Sequence, residues 1–342
     1  MKDYVKGYRI KKPQALLIMY RTLISGGRIK KKKFVEDFNV NEKTIERYIK
    51  DINRSFEDEG KSDFFDMKIE YDKKEKIYEL KSKDSPFFTK EEILSISKIC
   101  LESRGLSKNQ MEKILKKLIK NHCYSDWEDI NKIIFREKNT YHEPKHKDEN
   151  LINKIWDLTK AIRENRKMTI NYRKVGKNGK LSEKITKRKL IPSALLFSEF
   201  YFYLIAFIEW DDGNKSSKVI PYRVDRILSY ELLDEGYRLD SNSKVDDGEL
   251  REDAHYMQFG ELERVEFRFS GKSIEAVEDK LPNAEIKDIG NGEYIVRVKG
   301  YVKGLKMWLL SQGAAVEVLK PDGFRKEMAE EVEKMVLGYR GK

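Results

Sequence analysis

Four side chains near the N-terminus have the types and spacing needed to hydrogen bond to nucleic acid. Lys43, Thr44, Arg47 and Lys50 recur at offsets of one, three and three residues, so they share one side of a helix. Hydroxyl and guanidinium groups can hydrogen bond to base edges in a major groove, and ammonium groups can neutralise phosphates. The sequence therefore predicts a DNA-reading surface in which these four residues contact bases or nearby phosphates.

An apolar stripe on the opposite side of the same helix must position those side chains. Ile45, Ile49, Ile52 and Phe56 follow the helical period, and Asn41 is a suitable N-cap. Two shorter amphipathic stripes precede it, which predicts a compact three-helix unit. Their apolar residues are Leu16, Leu17, Tyr20, Leu23 and Ile24 in the first, and Phe34, Val35 and Phe38 in the second.

Two more groups of cations flank the predicted reading helix. We expect the basic run before it to contact the DNA backbone; this run comprises Arg28, Lys30, Lys31, Lys32 and Lys33. After the helix, period-two alternation on either side of a charged turn predicts a two-stranded wing. Its tip carries Lys73 and Lys74, for which phosphate contact and a merely solvated hairpin tip are alternative interpretations.

The charge balance favours a polyanionic partner. The 70 lysines and arginines exceed the 59 acidic residues, which gives a net charge of +11. Residues 1–62 carry 16 basic and 9 acidic groups, and residues 166–230 carry 14 and 6, whereas residues 231–342 carry 18 and 24. A well-solvated lysine-rich surface accounts for the total, but less well for two separated basic blocks. Each block favours DNA through counterion release.

Several classes of protein are disfavoured by what the sequence lacks. A chain of 342 residues is long enough for two or three domains. It has no apolar run near the roughly 20 residues that cross a bilayer, so we expect a soluble cytoplasmic protein without a membrane partner. Phosphate-loop, nucleophile-elbow, zinc-helix and dinucleotide fingerprints are absent as well. We therefore expect no catalytic residue, no metal, no cofactor and no enzymatic activity.

The remaining patterns predict three further parts of the chain. Thr89 and Glu92 form a capping box that opens a helical stretch, which we interpret as a connector or dimer-forming layer. After a polar boundary at 137–150 come a helix and four or five strands that should close into a small barrel or strongly bent sheet. One of these strands is predicted to span 218–233. The last third follows a β-α-β-β-α-β order, which is typical of a ferredoxin-like sandwich.

Three segments, in the same order along the chain, resemble one protein family. They are the helix motif TIERYIKDI from Thr44 to Ile52, the motif PYRVDRI from Pro221 to Ile227, and WLLSQGAAVEVLKP from Trp308 to Pro321. With the tripeptide Phe202-Tyr203-Leu204, they are similar to WYL-domain transcriptional regulators. Phe202 stands where the family name has tryptophan, which keeps an aromatic wall but removes an indole donor.

The resemblance implies a multidomain α+β fold. It has an N-terminal winged helix-turn-helix of the DeoR type (1–83), a helical connector (84–148), a small Sm-like β-barrel, the WYL domain (149–236), and a ferredoxin-like βαββαβ extension (260–342). It also implies a homodimer that binds a double-stranded DNA operator and senses an anionic nucleotide or oligonucleotide effector. An alternative is an accessory protein that binds single strands through the WYL domain and assists another complex.

The candidate effector site combines arginines with tyrosines. Arginine can grip a phosphate bidentately, and tyrosine can stack on a base or donate a hydrogen bond. The candidates are Tyr203, Tyr222, Arg223 and Arg226, followed by Arg188 and Lys189. Two alternatives stay open. Arg223 and Asp225 can instead form a structural ion pair, and Tyr203 can belong to the core of its apolar strand.

Overall fold

The chain forms two compact units, Met1–Pro144 and Lys145–Lys342. The computed structural model describes residues 10–24, 26–59, 67–82, 88–122, 127–145, 148–176, 178–239 and 247–341. Within these ranges, no helix is both long and apolar enough to cross a membrane.

The first unit begins with three helices and a small sheet. The helices are α1 (Lys12–Ile24), α2 (Lys31–Phe38) and α3 (Glu42–Glu59). The strands are β1 (Ile29–Lys30), β2 (Met67–Asp72) and β3 (Ile77–Ser82), in the antiparallel order β1-β3-β2. β2 and β3 are joined by an exposed turn at residues 73–76.

The predicted apolar stripe of α3 is confirmed as the centre of this core. Ile45 is fully buried, and Ile49, Ile52 and Phe56 are at most 5% exposed. They pack with Phe34 and Phe38 of α2 and with residues of α1 and the sheet. The predicted cap is also confirmed, because the Thr44 backbone N–H donates to Asn41 Oδ1 at 2.8 Å. The cap and the stripe together determine which side of α3 faces solvent.

Three more helices complete the first unit. They are α4 (Lys90–Ser103), α5 (Lys108–His122) and α6 (Trp127–Asn139). The predicted capping box is present, since Thr89 and Glu92 each accept a hydrogen bond from the other's backbone N–H. Ile93, Met111 and Ile134 lie at the centre of a separate core between the three helices.

A five-stranded antiparallel sheet opens the second unit. It follows α7 (Leu151–Arg163) and contains β4 (Arg166–Val175), β5 (Leu181–Ser198), β6 (Tyr201–Glu209), β7 (Ile220–Arg223) and β8 (Ile227–Gly236). The pairing order is β7-β6-β5-β4-β8, so the last strand lies beside the first and β7 and β8 form the two edges. Helix α7 is tied to this sheet where buried Lys154 donates to the Ile227 carbonyl oxygen.

Two strand predictions in this region were wrong. Residues 218–233 do not form one strand, because a 3-10 helix at Val224–Arg226 separates β7 from β8. Asp225 lies within this 3-10 helix and forms an ion pair with Arg223, the last residue of β7. The strand predicted at 180–191 also continues to Ser198 as β5, since residues after a bulge at Ser193 pair with β6. Long-range pairing with β6 extends this strand beyond its local pattern.

The chain ends in a second layered domain. After α8 (Asp247–Asp253) come β9 (Leu262–Phe269), α9 (Glu275–Lys280), β10 (Glu285–Gly290), β11 (Glu293–Tyr301), α10 (Val302–Ser311), β12 (Val316–Lys320) and α11 (Asp322–Tyr339). The sheet order is β10-β11-β9-β12, so its first strand lies between the third and the fourth. Phe267 and Trp308 help to form the core between sheet and helices. The observed element order is the predicted β-α-β-β-α-β sequence.

Candidate nucleic-acid interface and anion site

The solvent-facing side of α3 carries the predicted DNA-reading residues. Lys43, Arg47 and Lys50 are exposed, whereas Thr44 is half-buried. The Thr44 hydroxyl donates to Asn41 Oδ1 at 2.7 Å, so its oxygen stays available as an acceptor. No carboxylate of the described residues lies within ion-pair distance of Lys43 or Lys50. The helix therefore offers uncompensated donors on one face.

Four cations of the basic run before α3 are exposed, and the fifth, Lys31, is paired with two glutamates of α3. Arg28, Lys30, Lys32 and Lys33 are exposed, and Arg28 lies 3.6 Å from a Glu79 carboxylate oxygen. Lys31 differs, because its ammonium lies 2.6 Å from Glu46 and 3.0 Å from Glu42.

Those hydrogen bonds raise the pKa of Lys31, whose side chain is only 15% exposed. Lys31 therefore ties α2 to α3 in the free protein. The predicted phosphate contact of Lys31 would require its bonds to Glu46 and Glu42 to break, whereas the exposed cations need no such change.

The predicted two-stranded hairpin is present as β2 and β3, and its tip carries lysines. Lys73 and Lys74 are exposed at the turn. Asp72 shapes that turn by accepting hydrogen bonds from the backbone N–H groups of Lys74 and Glu75, at 2.7 and 3.1 Å. The two backbone donors lower the pKa of Asp72. The lysine side chains are left directed to solvent, and their contact with phosphate stays a prediction.

A second cationic cluster lies in the five-stranded sheet, around the rings of Tyr172 and Tyr222. The two rings meet edge to face, with centroids 5.1 Å apart. The Tyr172 hydroxyl accepts from the Arg223 backbone N–H at 3.3 Å and is also hydrogen bonded to the Arg226 side chain. Both rings are buried, which raises the pKa of each phenol, that of Tyr222 to about 12.

Arg188 approaches the same cluster from β5. It lies opposite Ile170, two residues before Tyr172, and opposite residues of antiparallel strands share a face. Its charge opposes the burial-driven rise in the pKa of Tyr222. The Nε atoms of Arg188 and Arg226 are buried, and neither has a hydrogen-bond partner among the described residues. A buried donor without an acceptor is costly, so an anion that supplied acceptors here would be stabilised.

Arg223 is held by another residue of the protein, in the ion pair that the sequence left open as an alternative. Its Nε and Nη2 donate to the two carboxylate oxygens of Asp225, at 3.0 and 2.6 Å. Its guanidinium also stacks on the Tyr201 ring, 3.2 Å from the centroid. Asp225 raises the pKa of Arg223 against the effect of burial. Arg223 therefore forms the structural ion pair, and it braces the turn that presents Arg226.

Tyr203 and Lys189 are also held by the protein. Tyr203 is half-buried beside Leu196 and Ile205, and burial raises its pKa. Lys189 contacts Glu235 at 2.7 Å and Glu209 at 3.1 Å, and these carboxylates raise its pKa. Both residues thus have local partners, in contrast to the unpartnered Nε atoms of Arg188 and Arg226.

A separate groove of about 1020 Å³ lies in the second unit. The residues that line it include Phe207, Lys218, Phe259, Tyr301 and Lys303. None of the six predicted effector residues lines it. The arginine cluster and this groove are therefore distinct features.

Tyr172 is the member of the cluster that the sequence prediction missed. The available signal was weak: Met168, Ile170 and Tyr172 alternate along β4, a pattern that indicates a buried face but no role for Tyr172. Its contact with residues 223 and 226 joins positions about fifty residues apart. No local pattern shows such a pairing.

Comparisons with known proteins identify the two domains of the second unit. A WYL domain matches residues 154–232, and a WCX domain matches residues 261–336. A comparison with curated proteins returned no match.

Among solved structures, proteasome accessory factor B/C (PafBC) of Arthrobacter aurescens is 17% identical over 99% of this chain, with a TM-score of 0.29. The chain spans 51% of that protein's length. A CRISPR Cas-related protein is 14% identical, with 96% of this chain and 81% of the other covered and a TM-score of 0.37. At such scores the superpositions carry no argument. The chain therefore carries a WYL domain followed by a WCX domain.

Proposed function

We propose that this chain is a DNA-binding transcriptional regulator whose WYL domain senses an anionic nucleotide or oligonucleotide. The observation that carries the DNA-binding part is the orientation of α3. The helix buries Ile45, Ile49 and Ile52 and presents Lys43, Arg47 and Lys50 to solvent. A helix in this orientation, followed by a hairpin with lysines at its tip, has the form of a winged helix-turn-helix that can enter a major groove.

The predicted interface divides into readers and anchors. We assign base-edge or nearby phosphate contact to Lys43, Thr44, Arg47 and Lys50. The exposed cations beside the helix anchor the backbone; they are Arg28, Lys30, Lys32, Lys33, Lys73 and Lys74. Lys31 contributes indirectly, by fixing the angle between α2 and α3 through its bonds to Glu42 and Glu46.

The sensor is assigned to the arginines whose donors lack acceptors. An oxyanion held between Arg188 and Arg226 would satisfy both buried Nε–H groups, and charge-assisted bonds of this kind are the strong ones. Tyr172 and Tyr222 supply the aromatic wall. Arg223 acts by positioning: its ion pair with Asp225 holds the 3-10 turn that carries Arg226.

Footprinting on genomic DNA near the chain's own gene tests the DNA-binding part. We expect a discrete, near-palindromic protected site, as a homodimer would give. Replacing Arg47 and Lys50 by alanine should weaken binding to that site by about 1 to 3 kcal/mol per lost base contact. The matched control replaces Lys116 and Lys117, two exposed lysines on α5. Its affinity for the site should change only by the amount that the lost positive charge causes.

The same experiment distinguishes the accessory alternative. That alternative predicts only salt-sensitive binding without sequence preference, and no difference between the α3 variant and its α5 control. A protected site that disappears with the α3 variant supports the regulator.

Native mass spectrometry of the purified protein tests the sensor part. We expect a co-purified nucleotide or oligonucleotide, and its loss when Arg188 and Arg226 are both replaced by alanine. The control replaces Lys303 and Lys218, which line the separate groove. Loss of the anion in the control but not in the arginine variant would show that the anion binds in the groove and not at the arginines.

A further inference from the structure

The β4–β5 hairpin of the WYL domain extends beyond the sheet as a two-stranded arm. The pairing of β4 with β8 ends at Tyr172 opposite Ile227. The pairing of β5 with β6 begins only at Lys189 opposite Glu209. Arg173 and Val175 still pair with Ile185 and Leu181. Among the described residues, no third strand pairs with this part, so both long edges of the arm are open.

The arm concentrates positive charge. Residues 173–187 include six basic side chains and a single acidic one, Glu183. Lys174, Lys180, Lys184 and Lys187 are exposed. Across the described ranges, no carboxylate lies within ion-pair distance of these four lysines. By contrast, Lys167 and Lys189 of the same sheet are paired with Glu209.

The charges cover both faces and the tip of the arm. Arg173 lies opposite Ile185, so they share one face, while Lys174 and Lys184 belong to the alternate positions of the two strands. Lys180 follows the turn at Gly179, whose φ of +72° suits glycine. Val175 and Ile185 are 44% and 50% exposed, so the arm also offers apolar side chains to a partner.

An isolated two-stranded ribbon is at best marginally stable in water, and self-repelling lysines weaken it further. A polyanion would relieve that repulsion. The DNA major groove is about 12 Å wide and admits a two-stranded β-ribbon, with phosphates on both sides of it. Cations on both faces and at the tip suit such a groove better than they suit a flat surface.

We infer that the β4–β5 arm is a second DNA-binding element, a β-ribbon that contacts the backbone of a duplex. This is a surface distinct from α3 and from the Arg188–Arg226 site, and it does not depend on either. Since its contacts are lysines directed at phosphates, it adds affinity and salt dependence but little sequence preference.

The test is the salt dependence of affinity for a fluorescent duplex of random sequence, between about 50 and 200 mM salt. The variant replaces Lys174, Lys180 and Lys184 by glutamine in the full chain. The control replaces Lys272, Lys287 and Lys326, three exposed lysines of the WCX domain, and so makes the same change in net charge. Each lost phosphate contact lowers the slope of log K against log salt by about 0.9, so we expect a drop of about 2 to 3 for the arm variant and none for the control.

A gain-of-charge variant makes the test independent of any loss of folding. Glu183→Lys should steepen the slope by up to about 0.9, while circular dichroism confirms an unchanged fold. Equal slopes for the arm variant and its control would overturn the inference, and so would an effect seen with a single strand but not with a duplex. The arm variant should also lower the slope in a chain that carries Arg47→Ala and Lys50→Ala. That result would support DNA binding by the arm even if α3 proved not to bind DNA.

Discussion

Helix α3 and the five-stranded sheet of the WYL domain both concentrate positive charge, but they hold it in opposite ways. On α3, Lys43, Arg47 and Lys50 are exposed on a helix whose other side forms the core. In the sheet, Arg223 is partly buried and paired with Asp225, and the Nε atoms of Arg188 and Arg226 are buried without acceptors. Exposed cations attract a polyanion at a distance, and salt screens this attraction. Buried cations bind only an anion that fits between them, and salt screens their interaction much less.

The largest expected effect is a change in the free energy of unfolding that differs between substitutions in the two regions. Arg223→Ala leaves the Asp225 carboxylate, 7% exposed, without its partner, and we expect it to lower the free energy of unfolding by about 3 to 5 kcal/mol. Arg47→Ala should change it by no more than about 0.5 kcal/mol, because Arg47 is exposed. Urea unfolding of the full chain measures both. Equal effects would show that the Arg223 ion pair is not structural.

A second prediction uses pH to weaken the second unit through His255. Burial, with the nearby charge of Lys280, lowers the pKa of His255 to about 4. The unfolded chain binds this proton first as the pH falls from its ordinary pKa of 6.5. The contribution of His255 to stability is therefore complete above pH 6.5 and is lost towards pH 4.

The shift corresponds to at most about 3 kcal/mol, from about 1.4 kcal/mol per pH unit. Thermal melting at pH 7 and pH 5 should show a smaller decrease for His255→Gln than for the native chain. The α3 surface should be unaffected, so duplex binding at pH 7 serves as the control. An identical pH dependence in both proteins would contradict the burial argument.

A third prediction concerns the free-energy cost of burying the Arg226 Nε–H without an anion to accept its hydrogen bond. Arg226→Met removes a buried Nε–H that lacks an acceptor, and we expect the free energy of unfolding to rise by about 1 kcal/mol. Anion binding should be lost in the same variant. Lys50→Met on α3 should not raise stability, because that side chain is already solvated. A destabilised Arg226→Met protein would show that Arg226 is a structural residue.

The smallest expected effect is that of Tyr172→Phe. It removes the hydroxyl that bonds to Arg223 N–H and to the Arg226 side chain, at a cost of about 1 kcal/mol. The freed Arg226 should bind an anion more weakly, since its guanidinium is no longer held in place. Isothermal titration with a short single-stranded oligonucleotide measures this. A Tyr230→Phe control removes a hydroxyl bonded instead to Asp157 of α7.

The sequence predicted local features well in both regions. The stripe from Ile45 to Phe56, the Asn41 cap and the Thr89–Glu92 capping box all depend on residues within one helix, and all are present. The βαββαβ order of the last third also followed from alternating local patterns. Such features need only the helical period, the strand period and the chemistry of caps.

The features that the sequence did not predict depend on contacts between distant residues. Lys31 looked like one of five equivalent cations until α3 brought Glu42 and Glu46 to it. Lys189 looked free until Glu235, 46 residues away, paired with it. The 3-10 turn in PYRVDRI occurs where Tyr172 accepts a hydrogen bond from β7. Charge alone therefore located the basic segments of the chain but did not show which of their cations have partners in the fold.

The salt dependence of duplex affinity tests most directly whether the two regions have different roles. It should be measured for the native chain, for Arg47→Ala with Lys50→Ala, and for Arg188→Ala with Arg226→Ala. We predict a slope reduced by about 2 in the α3 variant and unchanged in the sheet variant. A slope that falls in the sheet variant and not in the α3 variant would contradict the account.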